Sequence, residues 1–510
     1  MAVRPSSVCT RASSTEPHRS SRSLRQPAPW DRPARNAWRT DDMDGDQPTT
    51  ALAAAWREAD LRHVLHNGTN LLDHQIRGPQ VFVRGEGVLL WDADGREYLD
   101  ASSGLANCNL GYGEPELIQA ATDQLAQLSF APSTGGMANP PYVTLAERLA
   151  GLLPEELSRV FITTTGSDAN EAAFKLARWV NRLEGRPEKH KIIGLLRSFH
   201  GNTLATTAAT GMSALWEVGA PLPPGFLHVE PPFCYRCPWN NGLQEGRCCL
   251  LGVEALEQLI ENEGPDTVAA IIAEPVITGA GAVVPPPGYF PALRRLCDRY
   301  DILLIFDEIV TGLGRTGKLF ALEHFGVVPD ILTTAKGLAA GHYPVGAMAF
   351  RESLYGRLLA VAEEREGLVF YHTHTFFGTP VGSAVGLKAI ELLEKRGLVA
   401  HVAAMGHRLL AGLEALRDTG IVGDVRGLGL LAGVELVQDQ ASGSPFAPDM
   451  GVARRVAREA ADRGLLVRSG VSSDVLTLTP PLIMEAADID RVVSILGDAL
   501  SAVRERVVVS

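Results

Sequence analysis

The chain has 510 residues, enough for one large domain and a smaller one rather than a single core. Hydrophobic residues make up 45% and charged residues 21%, as in globular proteins, and no apolar run approaches the roughly 18 residues of a membrane span. The formal charge of −12 offers nucleic acid no broad basic surface, so small molecules are the expected partners.

Residues 1–48 read as a disordered leader. Residues 1–42 are rich in Arg, Ser and Pro, with Arg19, Arg22, Arg25, Arg32, Arg35 and Arg39 close together and no apolar stretch of a secretory signal. The prolines work against the amphipathic helix of a transit peptide, and Met43 offers an internal start. Seven cysteines, an odd number, point to reduced thiols and a cytoplasmic location.

From Leu52 to about Leu72 the apolar spacing predicts one helix, followed by a small antiparallel element in QVFVRGEGVLLWDADGREYLD, with turns at Gly85–Gly87 and Asp94–Gly95. Beyond Gly113 helices and strands alternate. Helices are expected over Pro115–Leu128, Val143–Leu153, Asp168–Glu184 and Tyr289–Tyr300, and strands over Arg159–Thr163, Ile192–Leu196, Val268–Ala273, Ile302–Phe306 and Ile331–Ala335. Such alternation implies an α/β fold with a mostly parallel sheet covered on both faces. After Pro380 a helix runs to Lys395, and strands near Leu431–Leu436 and Val475–Leu478 belong to an α+β remainder. The expected organisation is residues 49–100 and 380–510 forming a small domain around a large domain at 101–379.

Three segments carry chemistry. In FITTTGSDANEAAFKLAR, Gly166 and Ser167 stand at a strand-to-helix turn, with Asp168 and Asn170 able to cap the helix. Free N–H groups and the positive helix end attract an anion, although alone such a start is more often a plain cap. In LLIFDEIVTGLGRTG an apolar strand ends on Asp307 and Glu308, at the edge where α/β sheets bind ligands. A protonated ring nitrogen would satisfy such an aspartate; loop N–H groups or Arg315 would serve equally. In PDILTTAKGLAAGHYPVGAMAF a strand runs straight into Lys336, where a desolvated amine becomes a nucleophile towards carbonyls, though a lone lysine there is more often a solvated loop residue. The three together, in this order on a βα framework, match the needs of pyridoxal phosphate: a phosphate cup, an anion for the pyridinium and a lysine for the aldehyde.

GSDANEAAFKLAR, SFHGNT, IIAEPV, FDEIVTGLGRTG, TTAKG, HTFFGTP and VRGLGLLAGVEL together resemble the class III aminotransferases, in particular the ω-amine:pyruvate branch, over about residues 50–505. The resemblance implies pyridoxal-phosphate fold type I, a homodimer with shared active sites, and amino transfer from a primary amine or ω-amino acid to a keto acid, with pyruvate the expected acceptor in this branch. It makes Lys336 the Schiff-base lysine and proton carrier, Asp307 the partner of the ring nitrogen, and Gly166 with Ser167 the phosphate cup. Thr375 would reach the phosphate from the neighbouring subunit. Phe199, where relatives have tyrosine, would stack on the ring ahead of His200, Ile309 would pack on the other face, and Glu274 would lie near Asp307. An aminomutase or racemase on the same fold is the alternative reaction.

Substrate residues depart from relatives. Thr477 in LTLTPPL replaces the arginine that clamps amino acids, whereas Arg468 in LLVRSG resembles the arginine that ω-transaminases turn towards a carboxylate. Ala106 stands where relatives often have tryptophan, and Thr134 opens TGGM where others have aromatics, so a wider amine pocket is expected. Cys234, Cys237, Cys248 and Cys249 look superficially like a zinc set, but the adjacent pair closes a tetrahedron poorly and similar segments occur in relatives resembling taurine:pyruvate aminotransferases; no metal is expected.

Overall fold

A computed structural model describes residues 43–44, 47–239, 247–470 and 474–508. The leader up to residue 42 lies outside them, as do the side chains of Cys248 and Cys249. At the centre is a seven-stranded sheet in the order Arg159–Thr163, Gly346–Phe350, Ile331–Thr334, Leu303–Asp307, Val268–Ala273, Lys191–Leu195 and Phe226–Val229. Only Gly346–Phe350 runs antiparallel to its neighbours.

Alternate residues of each strand serve opposite faces. Ala270, Ile272, Leu303, Ile305 and Ile331 pack with Ala173, Phe174, Leu176 and Val180 of the helix Gly166–Leu183. Ile271, Ala273, Leu304, Phe306 and Leu332 face the other way, towards Phe290, Leu293 and Leu296 of the helix Tyr289–Arg299. Both faces are dry, which is why these strands read as continuous apolar runs. Two of the strands follow sequence patterns that hide them: Phe226–Val229 is four residues long, and Gly346–Phe350 follows a Gly- and Pro-rich stretch.

Two four-stranded sheets flank this core. One pairs Leu465–Leu466 in parallel with Glu97–Asp100, so a late segment completes the sheet of Phe82–Glu86, Leu89–Asp92 and Glu97–Asp100. The other holds Val422–Leu428, Leu431–Leu436, Val475–Leu478 and Arg468–Ser469. The single helix expected from Leu52 to Leu72 is broken in two, Thr50–His63 and Leu71–Arg77. Asn67 and Gly68 interrupt it, and the Asn70 side chain accepts from the N–H groups of Leu72 and Asp73 to start the second helix. Among the described residues no helix is long and apolar enough to cross a membrane.

Candidate active site

The carboxyl ends of the central strands open into a cavity of about 490 Å³. Gly166, Ser167, Phe199, His200, Glu274, Asp307, Ile309 and Lys336 all line it, brought together from positions up to 170 residues apart in sequence.

Gly166 and Ser167 begin the helix Gly166–Leu183 directly after the strand Arg159–Thr163. The cap is Thr165, whose hydroxyl accepts from Asp168 N–H at 3.2 Å; Asp168 and Asn170, the expected caps, do other work. A Cβ added at Gly166 would lie 2.8 Å from Ile309 Cδ1, so glycine is what lets Ile309 close over the turn. The Ser167 hydroxyl accepts from Asn202 N–H at 3.3 Å. Unsatisfied N–H groups at this helix start suit a phosphate.

Asp307 is 3% exposed and ends the strand Leu303–Asp307. Its Oδ2 accepts from Asn170 Nδ2 and His200 Nδ1, each at 2.8 Å, and its Oδ1 accepts from Ile309 N–H at 3.1 Å. A carboxylate has about four acceptor sites, which leaves one for a donor in the cavity. Asn170 also donates to His200 O at 2.8 Å and accepts from the Thr333 hydroxyl at 2.7 Å. Sequence reading missed this role because an asparagine near a helix start looks like a cap. Glu274 accepts from the N–H groups of Phe199 and Thr278, both at 2.9 Å, and burial, reinforced by the Asp307 charge, pushes its carboxyl up.

The adjacent acid behaves differently. Glu308 accepts from the Thr311 hydroxyl and from the N–H groups of Ala321 and Leu322, at 2.7 to 2.9 Å, and burial raises it to about 7. Arg315, fully buried, serves neither acid: it donates to the carbonyls of Leu430 and Pro480, to Asn109 and to Ser103. Glu308 is thus a structural cap, and Asp307 is the acid that faces the cavity.

Lys336 opens the turn Lys336–Leu338 immediately after the strand Ile331–Thr334, with φ at +31°. Burial holds its ammonium below the usual lysine range; Asp307 and Glu274 oppose the shift and Arg468 adds to it. A flat anion cup, a carboxylate with a free acceptor site and an amine drawn towards its neutral form together fit pyridoxal phosphate.

The remaining candidates lie elsewhere in the chain. Thr375 lines a second cavity of about 660 Å³, which shares Thr164, Tyr343 and Pro344 with the first. Arg468 pairs across the strand with Thr477; although it is exposed in the single chain, desolvation by the protein around it lowers its guanidinium pKa. Ala106 is 2% exposed, and Leu105 and Asn107 line the main cavity in its stead. Thr134 is exposed on a loop whose Ser133 hydroxyl donates to Phe377 O at 2.6 Å.

A family model described as Aminotransferase class-III matches residues 74–500. A probable aminotransferase of Mycobacterium tuberculosis is 40% identical over 89% of this chain and 95% of its own length. A taurine–pyruvate aminotransferase of Bilophila wadsworthia is 37% identical over 88% and 97%. The crystal structure of the ω-transaminase from Pseudomonas jessenii in complex with PMP superposes with a TM-score of 0.84, at 35% identity, covering 88% of this chain and 98% of that one.

Proposed function

The chain belongs to the class III aminotransferases, and from that premise we propose that it moves an amino group from a primary amine or ω-amino acid to pyruvate, with Lys336 holding the cofactor and carrying the proton. It is a pyridoxal-phosphate enzyme of fold type I. The observation that carries the residue assignment is the convergence of Lys336, Asp307 and the Gly166–Ser167 turn on one cavity.

When bound, pyridoxal phosphate supplies an aldehyde that joins to amines and a ring that takes up the electrons of a breaking C–H bond. Gly166 and Ser167 would hold its phosphate, Phe199 and Ile309 its ring faces, and Asp307 its ring nitrogen. The Asn170 and His200 hydrogen bonds fix the Asp307 carboxylate in one orientation, so its remaining acceptor site is presented without reorganisation. His200 Nδ1 meets the Asp307 carboxylate and its Nε2 is buried without a partner, so the ring is oriented by Asp307. Lys336 Nζ would take the donor's α-proton and return it to the cofactor carbon; burial holds its ammonium below the usual lysine range, which favours the neutral amine that accepts the proton.

Arg468 would bind the keto acid's carboxylate. Its position opposite Thr477, where no second arginine competes, supports an amine donor without an obligatory α-carboxylate. Pyruvate as acceptor is supported by the taurine–pyruvate relative. A homodimer is supported by apolar side chains left in the open, Leu72 at 75%, Ile76 at 81%, Tyr371 at 81% and Phe376 at 62% exposed. The last two flank Thr375, which would serve the neighbouring subunit's phosphate. Residues 101–379 contain every assigned cofactor contact, in keeping with a cofactor domain there. Free thiols at Cys108 and Cys297 support a cytoplasmic setting.

The test is a donor screen with pyruvate, reading alanine formed, across taurine, β-alanine, diamines and aryl amines. Turnover with at least one donor that lacks an α-carboxylate is expected; alanine formed only from α-amino acids would overturn the assignment.

A further inference from the structure

The helix Leu71–Arg77 buries none of its seven residues, and a helix that short is not stable by itself. Hydrophobic packing within the chain therefore does not hold it in place. What joins it to the helix Thr50–His63 is a cluster of three side chains: Asp60 from the first helix, His66 from the connection and His74 from the second.

The Asp60 side chain is 16% exposed and His74 only 10%. His66 Nε2 lies 2.7 Å from Asp60 Oδ2, and His74 Nε2 lies 2.9 Å from Asp60 Oδ1. The second approach has no hydrogen-bond geometry: His74 Nε2 and Asp60 Oδ1 are both shut off from water, and neither has a hydrogen-bond partner. The two imidazole rings stand 4.5 Å apart, so both nitrogens converge on one carboxylate. Among the described residues no lysine or arginine pairs with Asp60; Arg57 is taken by Asp94, Arg62 by Glu58 and Arg77 by Asp73. A carboxylate this buried needs a cation.

We infer that Asp60, His66 and His74 bind a divalent transition metal of the zinc class, which pins the helix Leu71–Arg77 to the helix Thr50–His63. Two imidazoles and one carboxylate suit Zn²⁺, with the fourth position open on the side where His66 is 35% exposed. Metal–ligand bonds of roughly 2.0–2.2 Å set nitrogen and oxygen about 3.3 Å apart, so the cluster opens by roughly half an ångström to admit the ion.

A second Asp–His–His cluster among the described residues, Asp168 with His372 and His374, is less suited to a metal. His372 Nδ1 faces the Lys175 ammonium at 2.9 Å, which forces the ring proton onto Nε2, where it is donated to Asp168 at 2.9 Å. A ligand nitrogen there would have to displace Lys175.

The site is independent of the transaminase assignment and can be tested on cofactor-loaded enzyme. The protein is stripped with EDTA, titrated with zinc sulfate by calorimetry, dialysed and analysed for metal, with trypsin cleavage at Arg62 and Arg77 followed in parallel. One zinc per chain is expected in the wild type, in Cys234→Ser/Cys237→Ser and in His374→Gln. In His74→Gln and Asp60→Asn, whose folding is checked by cofactor content and near-ultraviolet circular dichroism, affinity should fall at least 100-fold and zinc should no longer slow cleavage. Zinc no higher in the wild type than in His74→Gln, or zinc lost with the cysteine or His374 variants instead, would overturn the inference.

Discussion

Arg468 and Thr477 face each other directly across two antiparallel strands. Among the described residues no ion pair holds Arg468, so its proposed role in binding a substrate carboxylate can be tested by removing its charge. Replacing Arg468 by Gln should raise the KM for pyruvate by about 30- to 100-fold, the size of a lost charge-assisted pair, while leaving the KM for an uncharged amine within about twofold. Equal losses for both substrates in steady-state kinetics would place Arg468 outside the carboxylate site.

Arg468 also reaches Lys336 electrostatically. Burial lowers the Lys336 pKa and Arg468 lowers it further, while Asp307 and Glu274 raise it. The neutral amine is the form that reacts with an aldehyde, so cofactor uptake by apoenzyme should accelerate with rising pH and level off below the ordinary lysine value of about 10.4. Removing the Arg468 charge takes away one cause of the depression. The midpoint in Arg468→Gln should therefore move to higher pH, which stopped-flow loading experiments across pH would measure.

Asn170 positions Asp307 without touching substrate. Asn170→Ala would leave His200 O and the Thr333 hydroxyl unpaired inside the protein and remove one of three donors to Asp307. The expected result is a drop in kcat of about 10- to 100-fold with little change in KM, together with weaker cofactor retention on dialysis. Asn170→Asp should be more severe, since it sets a second carboxylate against Asp307 in a buried site.

At Gly166 the constraint is steric. Ala in this position would bring its Cβ to 2.8 Å from Ile309 Cδ1, so Gly166→Ala should weaken cofactor binding by at least about tenfold. Ile309→Val removes Cδ1 and should restore part of that loss in the double variant, a non-additive outcome that a simple unfolding effect would not give.

Much of this was legible in the sequence. The strands Arg159–Thr163 and Val268–Ala273 stood out because both their faces are buried, and Lys336, Asp307 and Ser167 because each closes such a strand or opens the helix after it. Asn170 was not legible as a site residue, because its function depends on a contact with Asp307, 137 positions away. The break between His63 and Leu71 was hidden by apolar spacing that continues through Val64 and Leu65 although both are exposed, at 50% and 83%. Ala106 shows the limit of motif reading: its neighbours Leu105 and Asn107 reach the cavity, while its own side chain turns into the core.

Lys336 is the residue on which the proposed chemistry depends. Holoenzyme reduced with borohydride, digested and mapped by mass spectrometry should carry the pyridoxyl group on the peptide containing Lys336, and Lys336→Ala should show neither the label nor alanine formation from pyruvate. A label on another lysine, or turnover surviving in Lys336→Ala, would contradict the account.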